Sequence, residues 1–543
     1  MKDNQRKNGE GKGKGAMKSW VFIVLTVIIV AGIGATAFGM LKDKDPMTRY
    51  LTAEQNTLEK QMTFLESQSE QMEQLEEKMM EKAFRSNSTI TADFNLEDGA
   101  QSLGAMLPMI KGMVSSSKIE TEQRMDPGTK ETFLAFDLLL QGQSLGNAEF
   151  YQNETDAALK VPFLYESYFT LPNDQFGEFL RKYGEEAAGM EVLPNLADYQ
   201  SATLTRDEMD EIAKDYVTAL IKELDKEQFK MENGIAYEDG KFDKITLTLS
   251  EDETKEILKV MLDKLKNDDR IWDIVEAQMN MNMAAGNVED GKASVEELKK
   301  EVENLKLPDG FKLEAYIDGD VVVYRDVNFT VGHAEAAETA AVAIHTSYSE
   351  ENDDTYTSTM EMNFVPATEE DTVTFTLKEK GNKSGEELQF DHTISLTMKE
   401  AGGPSTIGAD LSSVIKDNTT EMTFDVRMEG AMFAGGPVPE LGGYFNTETE
   451  VDGSAANQKM DLGIDFAMQD PMMGPVSGRV EFHIDTDTAF TDDLQFPSLD
   501  DSETVNVMET SPQEMEEIMR EVQMNLQSYY QNMFGSFGGL GAF

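Results

Sequence analysis

The sequence predicts an α+β protein: an N-terminal transmembrane helix, then large antiparallel β-sheet(s) with helices covering one face. Three observations carry this. Trp20 to Leu41 is an unbroken apolar run without a charge. Beyond residue 85, apolar residues recur at every second position over many segments, the period of a half-buried strand. Between some of these segments stand stretches with helical spacing and N-capping signatures.

The apolar run is long enough to cross the hydrocarbon core at about 1.5 Å per helical residue. Residues 1–18 before it carry Lys2, Arg6, Lys7, Lys12, Lys14 and Lys18 against Asp3 and Glu10. Positive charge ahead of a span keeps that end in the cytoplasm, so the expected placement is a single pass in the cell membrane with an extracytoplasmic C-terminal region. Two readings of the run stand. It is a signal anchor over 19–41, or a long signal peptide cut after Ala37, because Ala35-Thr36-Ala37 fits the small-x-small pattern.

Composition narrows the function classes. The chain sets 47 Lys/Arg against 102 Asp/Glu, a net charge of −55. Such a surface repels nucleic acid and anionic headgroups, so no nucleic-acid partner is expected. The absence of cysteine removes disulfides, a lipid-modified cysteine anchor and thiol chemistry.

After the span, residues 47–84 read as one helix. Leu51, Leu58, Leu65, Met72 and Met79 recur every seven residues, but Glu54, Gln61 and Gln68 occupy the positions that would complete a seam. The helix is either a stalk that oligomerises or a packing helix lying on its own domain. Residues 85–305 mix strands with helices. Thr132–Leu140, Asn147–Gln152, Ala157–Val161 and Phe163–Thr170 alternate as strands. Asn173 reads as the cap of a short helix, and Thr205/Glu208, Ser250/Glu253 and Ser294/Glu297 as capping boxes. Residues 310–510 are strand and turn almost throughout, apolar on one face and Thr-rich on the other, as in a sheet with one covered side. Ser511 and Glu514, with Pro512 between them, open a covering helix over 511–534, and 535–543 form a flexible tail. Both 85–305 and 310–510 as separate regions, and one continuous sheet with a helical insertion, fit this pattern.

No motif points to catalysis, so the chain is expected not to be an enzyme. Gly142-Gln-Ser-Leu-Gly146 matches the nucleophile-elbow pattern but lies between two strands, where a hairpin turn belongs. His333, His345, His392 and His483 have no metal-ligand spacing. Met279, Met281 and Met283 do not share a helix face, and Asp485 and Asp487 lack the glycine and distal glutamate of a calcium loop. No metal or cofactor is expected. The densest aromatic cluster is Phe150, Tyr151, Phe163, Tyr165, Tyr168 and Phe169. It is either core under the helices or the lining of a sheet–helix cleft. In the second case Phe150, Phe163, Tyr165 and Phe169 are the candidate contacts for an apolar ligand.

Three segments carry a family resemblance: the helix start Arg49–Glu54, the strand Leu159–Tyr165 leading into Leu171–Asp174, and the strand Ile245–Ser250 with its capped helix through Asp269. They resemble membrane-anchored proteins of Gram-positive bacteria. The alternation of long strands with capped helices is also similar to the LolA/LppX-type lipoprotein-carrier fold. That resemblance implies a curved sheet around an apolar cavity and carriage of lipid or lipoprotein. The chain departs from those carriers in being more than twice their usual length and in lacking the lipidated cysteine. The expected function is therefore a non-catalytic, membrane-anchored protein that binds or shields an apolar ligand such as lipid. The alternative is an envelope interaction module that forms homo-oligomers through the 47–84 helix.

Overall fold

The structure is a computed structural model. It describes residues 45–65, 70–98, 106–184, 191–201, 206–238, 240–281, 288–334, 339–352, 354–367, 371–400, 402–433, 438–470, 474–499 and 504–536. The basic tail, the Trp20–Leu41 run with its Ala35-x-Ala37 site, Thr205 and the 537–543 end lie outside the described residues.

The strands are β1 (Phe84–Asp98), β2 (Ser117–Asp126), β3 (Glu131–Leu140), β4 (Gln143–Gln152), β5 (Asp156–Val161), β6 (Tyr165–Pro172), β7 (Phe229–Tyr237), β8 (Gly240–Leu249), β9 (Leu305–Lys306) and β10 (Phe311–Asp318). They continue with β11 (Val321–His333), β12 (Thr339–Asn352), β13 (Thr355–Pro366), β14 (Thr372–Ser384), β15 (Glu387–Glu400), β16 (Gly403–Lys416), β17 (Thr419–Gly430), β18 (Glu440–Asp452), β19 (Ala455–Asp470), β20 (Gly474–Phe490) and β21 (Thr504–Asn506).

All of them belong to one sheet. From β10 to β20 each strand pairs antiparallel with the next, and the meander closes onto the early strands at both ends. β8 pairs with β10, so β7 is one border. β20 pairs with β1, which leads through β2 to β6 and the short parallel β21. Residues 85–305 and 310–510 thus share one sheet. Among the described residues no pairing joins β7 to β21, the two borders.

This corrects the expected fold class. Helices do not cover one whole face of the sheet, and none of the described helices is long and apolar enough to cross a membrane. The physical reason is connection length. Two-residue turns such as Gly319-Asp320, Gly385-Glu386 and Asp417-Asn418 return the chain at once, so sequential strands pair and the sheet grows sideways. The helices arise where the connections are long.

The short turns place the two ends of the strands on two rims. The turns at 319–320, 385–386, 417–418 and 453–454 lie on one, here the base. The connections β3–β4, β5–β6, β17–β18 and β19–β20 lie on the other, the upper rim.

Helices α1 (Pro46–Leu65) and α2 (Glu70–Glu81) follow the base. Asn56 donates to the Asp320 carbonyl (2.9 Å), Lys60 pairs with Glu350 (2.7 Å), and Lys78 donates to the Gly453 carbonyl (2.9 Å). Tyr50, Leu51 and Ala53 are fully buried on the sheet, so the 47–84 segment packs on its own domain. Glu54, which interrupts the heptad pattern, is buried against the Arg325 guanidinium. Three further helices, α7 (Glu251–Lys266), α8 (Asp269–Met281) and α9 (Val288–Asn304), cover β8, β10 and β11, and with α1 enclose the largest core, which includes Leu247, Ile257, Leu262, Val302 and Leu313. Between β6 and β7 run α4 (Phe176–Lys182), α5 (Leu196–Ser201) and α6 (Arg206–Lys222).

Local signals explain several boundaries. Ser250 and Glu253 form the expected capping box, with Ser250 N–H donating to Glu253 (2.7 Å) and Glu253 N–H to Ser250 Oγ (3.3 Å). Ser511 and Glu514 repeat it at the start of α10 (Pro512–Ser536). Ser294 and Glu297 instead lie inside α9, which begins at Val288. Asn173 starts a single 3₁₀ turn, and its side chain turns inward to the Asn153 carbonyl (3.0 Å) in place of a cap. At Gly310 (φ 68°) a Cβ would stand 2.3 Å from the Leu249 carbonyl oxygen, so the tight entry into β10 requires glycine.

Two outcomes follow for stability. The Glu54 side chain is 3% exposed and that of Arg325 15%. Glu54→Gln should lower unfolding free energy by about 3–5 kcal/mol in denaturant titration, because it leaves a buried cation unpaired, whereas a joint Glu54→Leu, Arg325→Met replacement should cost much less. The Arg270 guanidinium holds the buried Asp268 carboxyl below its ordinary 3.8. A depressed carboxyl stabilises above the unfolded value and loses that contribution as pH falls through the folded one. Asp268→Asn should therefore flatten the stability-versus-pH curve below about pH 4.

Candidate functional site

Because paired residues in neighbouring strands share a face, the register assigns every side chain to one of two surfaces. One row reads Met360, Leu377, Ile394, Ala409, Val426, Leu441 and Phe466 across β13–β19. The row above it reads Met362, Phe375, Leu396, Ile407 and Met428. The band continues through Leu462, Phe482 and Ala92 into Ile90, Ile119 and Leu138, then Phe150, Leu159 and Phe169 near the β21 border.

Among the described residues, helices lie over this apolar face at β7–β12, with the core reaching Met360 and Phe364 of β13, along the base, and at the β5–β6 turn, where α10 packs on Phe163. Over β13–β20 its side chains stay half-buried, with Ile394 and Ile407 each 36% exposed; toward the β21 border Phe136 reaches 53%. A contiguous apolar surface of this width, left open in the single chain, marks a place of contact.

Below the band runs a polar belt on the same face. Thr449, Gln458, Thr486, Ser88 and Thr121 stand in one row. Ser88 and Thr486 share a hydrogen bond (2.8 Å), as do Ser86 and Thr488 (2.9 Å). Further along, Glu379 accepts from Tyr356 OH and lies 3.2 Å from His392 Nδ1. Burial and the neighbouring Glu379 push the Tyr356 phenol far above its ordinary value, so it stays protonated and donates to Glu379. Its ring lies over Gly381, where a Cβ would meet it at 2.2 Å. The belt separates the open band from the buried clusters at the base, Tyr348 with Tyr356, Leu388, Phe390 and Ile415, and Phe84 with Leu75, Met125 and Phe490.

The opposite face is polar. Arg479 grips Asp465 through two bonds (2.6 and 2.8 Å), Thr393 donates to Asp410 (2.9 Å), and Thr397 bonds Thr406 (3.0 Å). A shallow acidic groove of about 380 Å³ lies on it over β1–β4, lined in part by Glu120, Glu122, Asp137 and Glu149. Each of these carboxylates is already engaged: Glu120 by Lys118, Glu122 by Arg85 and Arg124, Asp137 by Ser144, Glu149 by Tyr168. The four histidines likewise each lie against a carboxylate, Glu301, Asp326, Glu379 and Asp461 in chain order. No group of three or more His, Asp or Glu converges among the described residues in a way that holds a metal ion. Gly142–Gly146 forms the β3–β4 turn and the start of β4.

The structure divides the aromatic cluster between the faces. Phe150, Tyr165 and Phe169 lie on the apolar face, with the Tyr165 and Phe169 rings 5.2 Å apart. Phe163 stands in the β5–β6 turn against Tyr529 of α10, at 4.8 Å. Tyr151 and Tyr168 face the other way and pack with Phe133, Ala158 and the crossing residues Phe496 and Leu499. The candidate contacts are thus one edge of a much wider band. Alternation within β13–β20 was the available signal for the rest, but joining the strands into one surface needs their register.

No family model matches the chain, and no curated protein matches it. Solved structures do. They include the outer membrane protein OpdK of Pseudomonas aeruginosa, at 8% identity, covering 75% of this chain and 98% of that one with a TM-score of 0.22. Acinetobacter baumannii OccAB4 matches at 6% identity over 76% of this chain and 99% of its own, TM-score 0.25. Pseudomonas aeruginosa OccK2, solved in complex with glucuronate, matches at 8% identity over 75% and 98%, TM-score 0.22. At these scores nothing about activity passes to this chain.

These findings correct four expectations. The structures matched are outer membrane proteins of Gram-negative bacteria, not Gram-positive anchored proteins or LolA/LppX-type carriers. The single-pass, signal-anchored placement, read from the Trp20–Leu41 run outside the described residues, and the lipid-shielding or stalk-oligomerising function are likewise not those of the outer membrane structures matched. The aromatic cluster does not stand on one surface: Phe150, Tyr165 and Phe169 lie on the apolar face, Phe163 packs on Tyr529 of α10, and Tyr151 and Tyr168 face the other way.

Substitutions on the open band should be tolerated far better than those in the core. Ile394→Thr and Ile407→Thr should each change unfolding free energy by less than about 1 kcal/mol, against about 2–5 kcal/mol for Leu313→Ala, which is fully buried. The two band variants should also reduce fluorescence of an added hydrophobic dye, the readout that separates an accessible band from a covered one.

Proposed function

We propose that this chain is a non-catalytic membrane-associated protein that meets a bilayer with its strands. The observation that carries the reading is the uncovered apolar band of β13–β20. Its side chains alternate with a polar face; the β13 end packs against the helix-covered core, and from β14 onward Ile394, Ile407 and Met468 are 36–41% exposed. Burying that area in hydrocarbon supplies roughly 25 cal/mol per Å² of apolar surface. The polar face of Thr, Asp, Glu and Arg side chains stays in water. A non-catalytic role is supported by the engaged state of the carboxylates, since each one in the acidic groove already has a basic or hydroxyl partner.

The net charge of −55 sets the lipid preference. A zwitterionic surface accepts the chain, whereas an anionic one repels it within a Debye length. Purified protein should float with phosphatidylcholine vesicles and remain bound in about 0.5 M salt, because hydrophobic contact is not screened. Added phosphatidylglycerol should weaken binding at low salt. Protein left at the bottom of the gradient with zwitterionic vesicles would sink the reading.

A further inference from the structure

The large apolar side chains left exposed include a set of methionines gathered at the upper rim. Helix α3 (Met106–Ser115) fills the β1–β2 connection and presents Met109 and Met113. The 3₁₀ turn Ala431–Phe433 after β17 presents Met432. Met468 stands two residues from the end of β19. Met524 and Tyr530 lie on α10 where Asn525 donates to the Leu164 carbonyl of the β5–β6 turn (2.9 Å). These six side chains are 41–56% exposed.

Their arrangement decides what kind of surface they fit. From the β17–β18 connection to the β5–β6 turn the sheet advances about eight strands, roughly 40 Å at about 4.8 Å per step. Moreover, they do not share one face. Lys111 and Ser115 of α3 bond Asn95 and Asp93, which point to the polar face, whereas Met468 belongs to the apolar band. A body lying flat on either face would miss some of them. A broad surface approached by the rim meets them all. The base is more polar along its length: it exposes Tyr183 and Val192 below β6, but α1 and α2 carry Lys60 and Lys78 there, and its two-residue turns carry charged and polar residues. Unbranched thioether side chains also adapt to a contact with no fixed shape, as acyl chains are.

From this geometry we infer that the protein docks on a zwitterionic bilayer rim-first, its methionine-bearing connections entering the interface and its α1–α2 base facing water. The inference rests on the membrane reading above and specifies its orientation. It places the upper row of the band at Val373 and Met398 next to enter behind the rim.

The full chain has no cysteine, so single cysteines can be introduced and labelled without background. Met113→Cys, Met432→Cys and Met524→Cys report the rim, and Ser454→Cys and Glu386→Cys the base. Each is labelled with an environment-sensitive fluorophore and mixed with phosphatidylcholine vesicles containing a spin-labelled lipid quencher. The expected result is a blue shift and quenching at all three rim sites and neither at the base. Met113→Glu, Met432→Glu and Met468→Glu together should lower the vesicle-bound fraction roughly tenfold while leaving the denaturation midpoint in place. Protein that binds vesicles with water-like rim labels, or with the base labels quenched, overturns the orientation alone. Absence of vesicle binding in the unsubstituted chain overturns the membrane reading and the orientation with it.

Discussion

Register is the constraint on which everything else here depends. A strand's side chains alternate with period two, so a slip of one residue exchanges its faces. From β10 to β20 the chain keeps one register through ten hairpins and deposits its apolar residues on one side. The few irregularities, such as those at Tyr316/Ile317 and Glu350/Asn352, lie at the base ends of strands, beside the turns. The uncovered band is a product of pairing geometry, and no single strand contains it.

A sheet this wide needs something to hold its shape, and the base supplies it. α1 and α2 reach from the β10–β11 turn to the β18–β19 turn and tie hairpins that do not touch one another. The Glu54–Arg325 pair sits at the start of this tie. Burying two charges is costly, and a well-packed apolar pair can stabilise as much or more. The pair does add direction, since Glu54 can satisfy only one buried guanidinium on the sheet. That fixes where α1 lies along β11 in a way that Tyr50 and Leu51, packing without orientation, do not.

Strand identity was legible in the sequence because alternation is local. Thr132–Leu140 and Ala157–Val161 read as strands from their own residues, and both lie within strands. The Ser250 and Ser511 caps were legible for the same reason: a hydroxyl and a carboxylate three residues apart suffice. Ser294 and Glu297 carry the same spacing inside a helix, because Val288 onward already buries Val295 and Val302 and tertiary contact outweighs a local cap. The extent of the band was not legible. The heptad of 47–84 likewise reads as a seam or as a packing stripe until Glu54 is seen against Arg325. Aromatic residues close in sequence suggested one cleft, yet neighbours in a strand point to opposite faces, so Phe150 and Tyr151 belong to different surfaces.

The polar belt explains why an open band is compatible with a stable chain. Had the apolar surface continued unbroken from rim to base, exposing the upper rows would have offered water a route into the same core that α1 and α2 close. Instead Thr449, Gln458, Thr486 and Ser88 intervene, and Ser88 bonds Thr486 while Gln458 bonds Thr449. The base clusters can then stay buried whether or not anything contacts the band. Stability and contact are thereby assigned to different heights on the same strands. This is the arrangement a protein needs if it is to remain folded in water and still present an apolar rim.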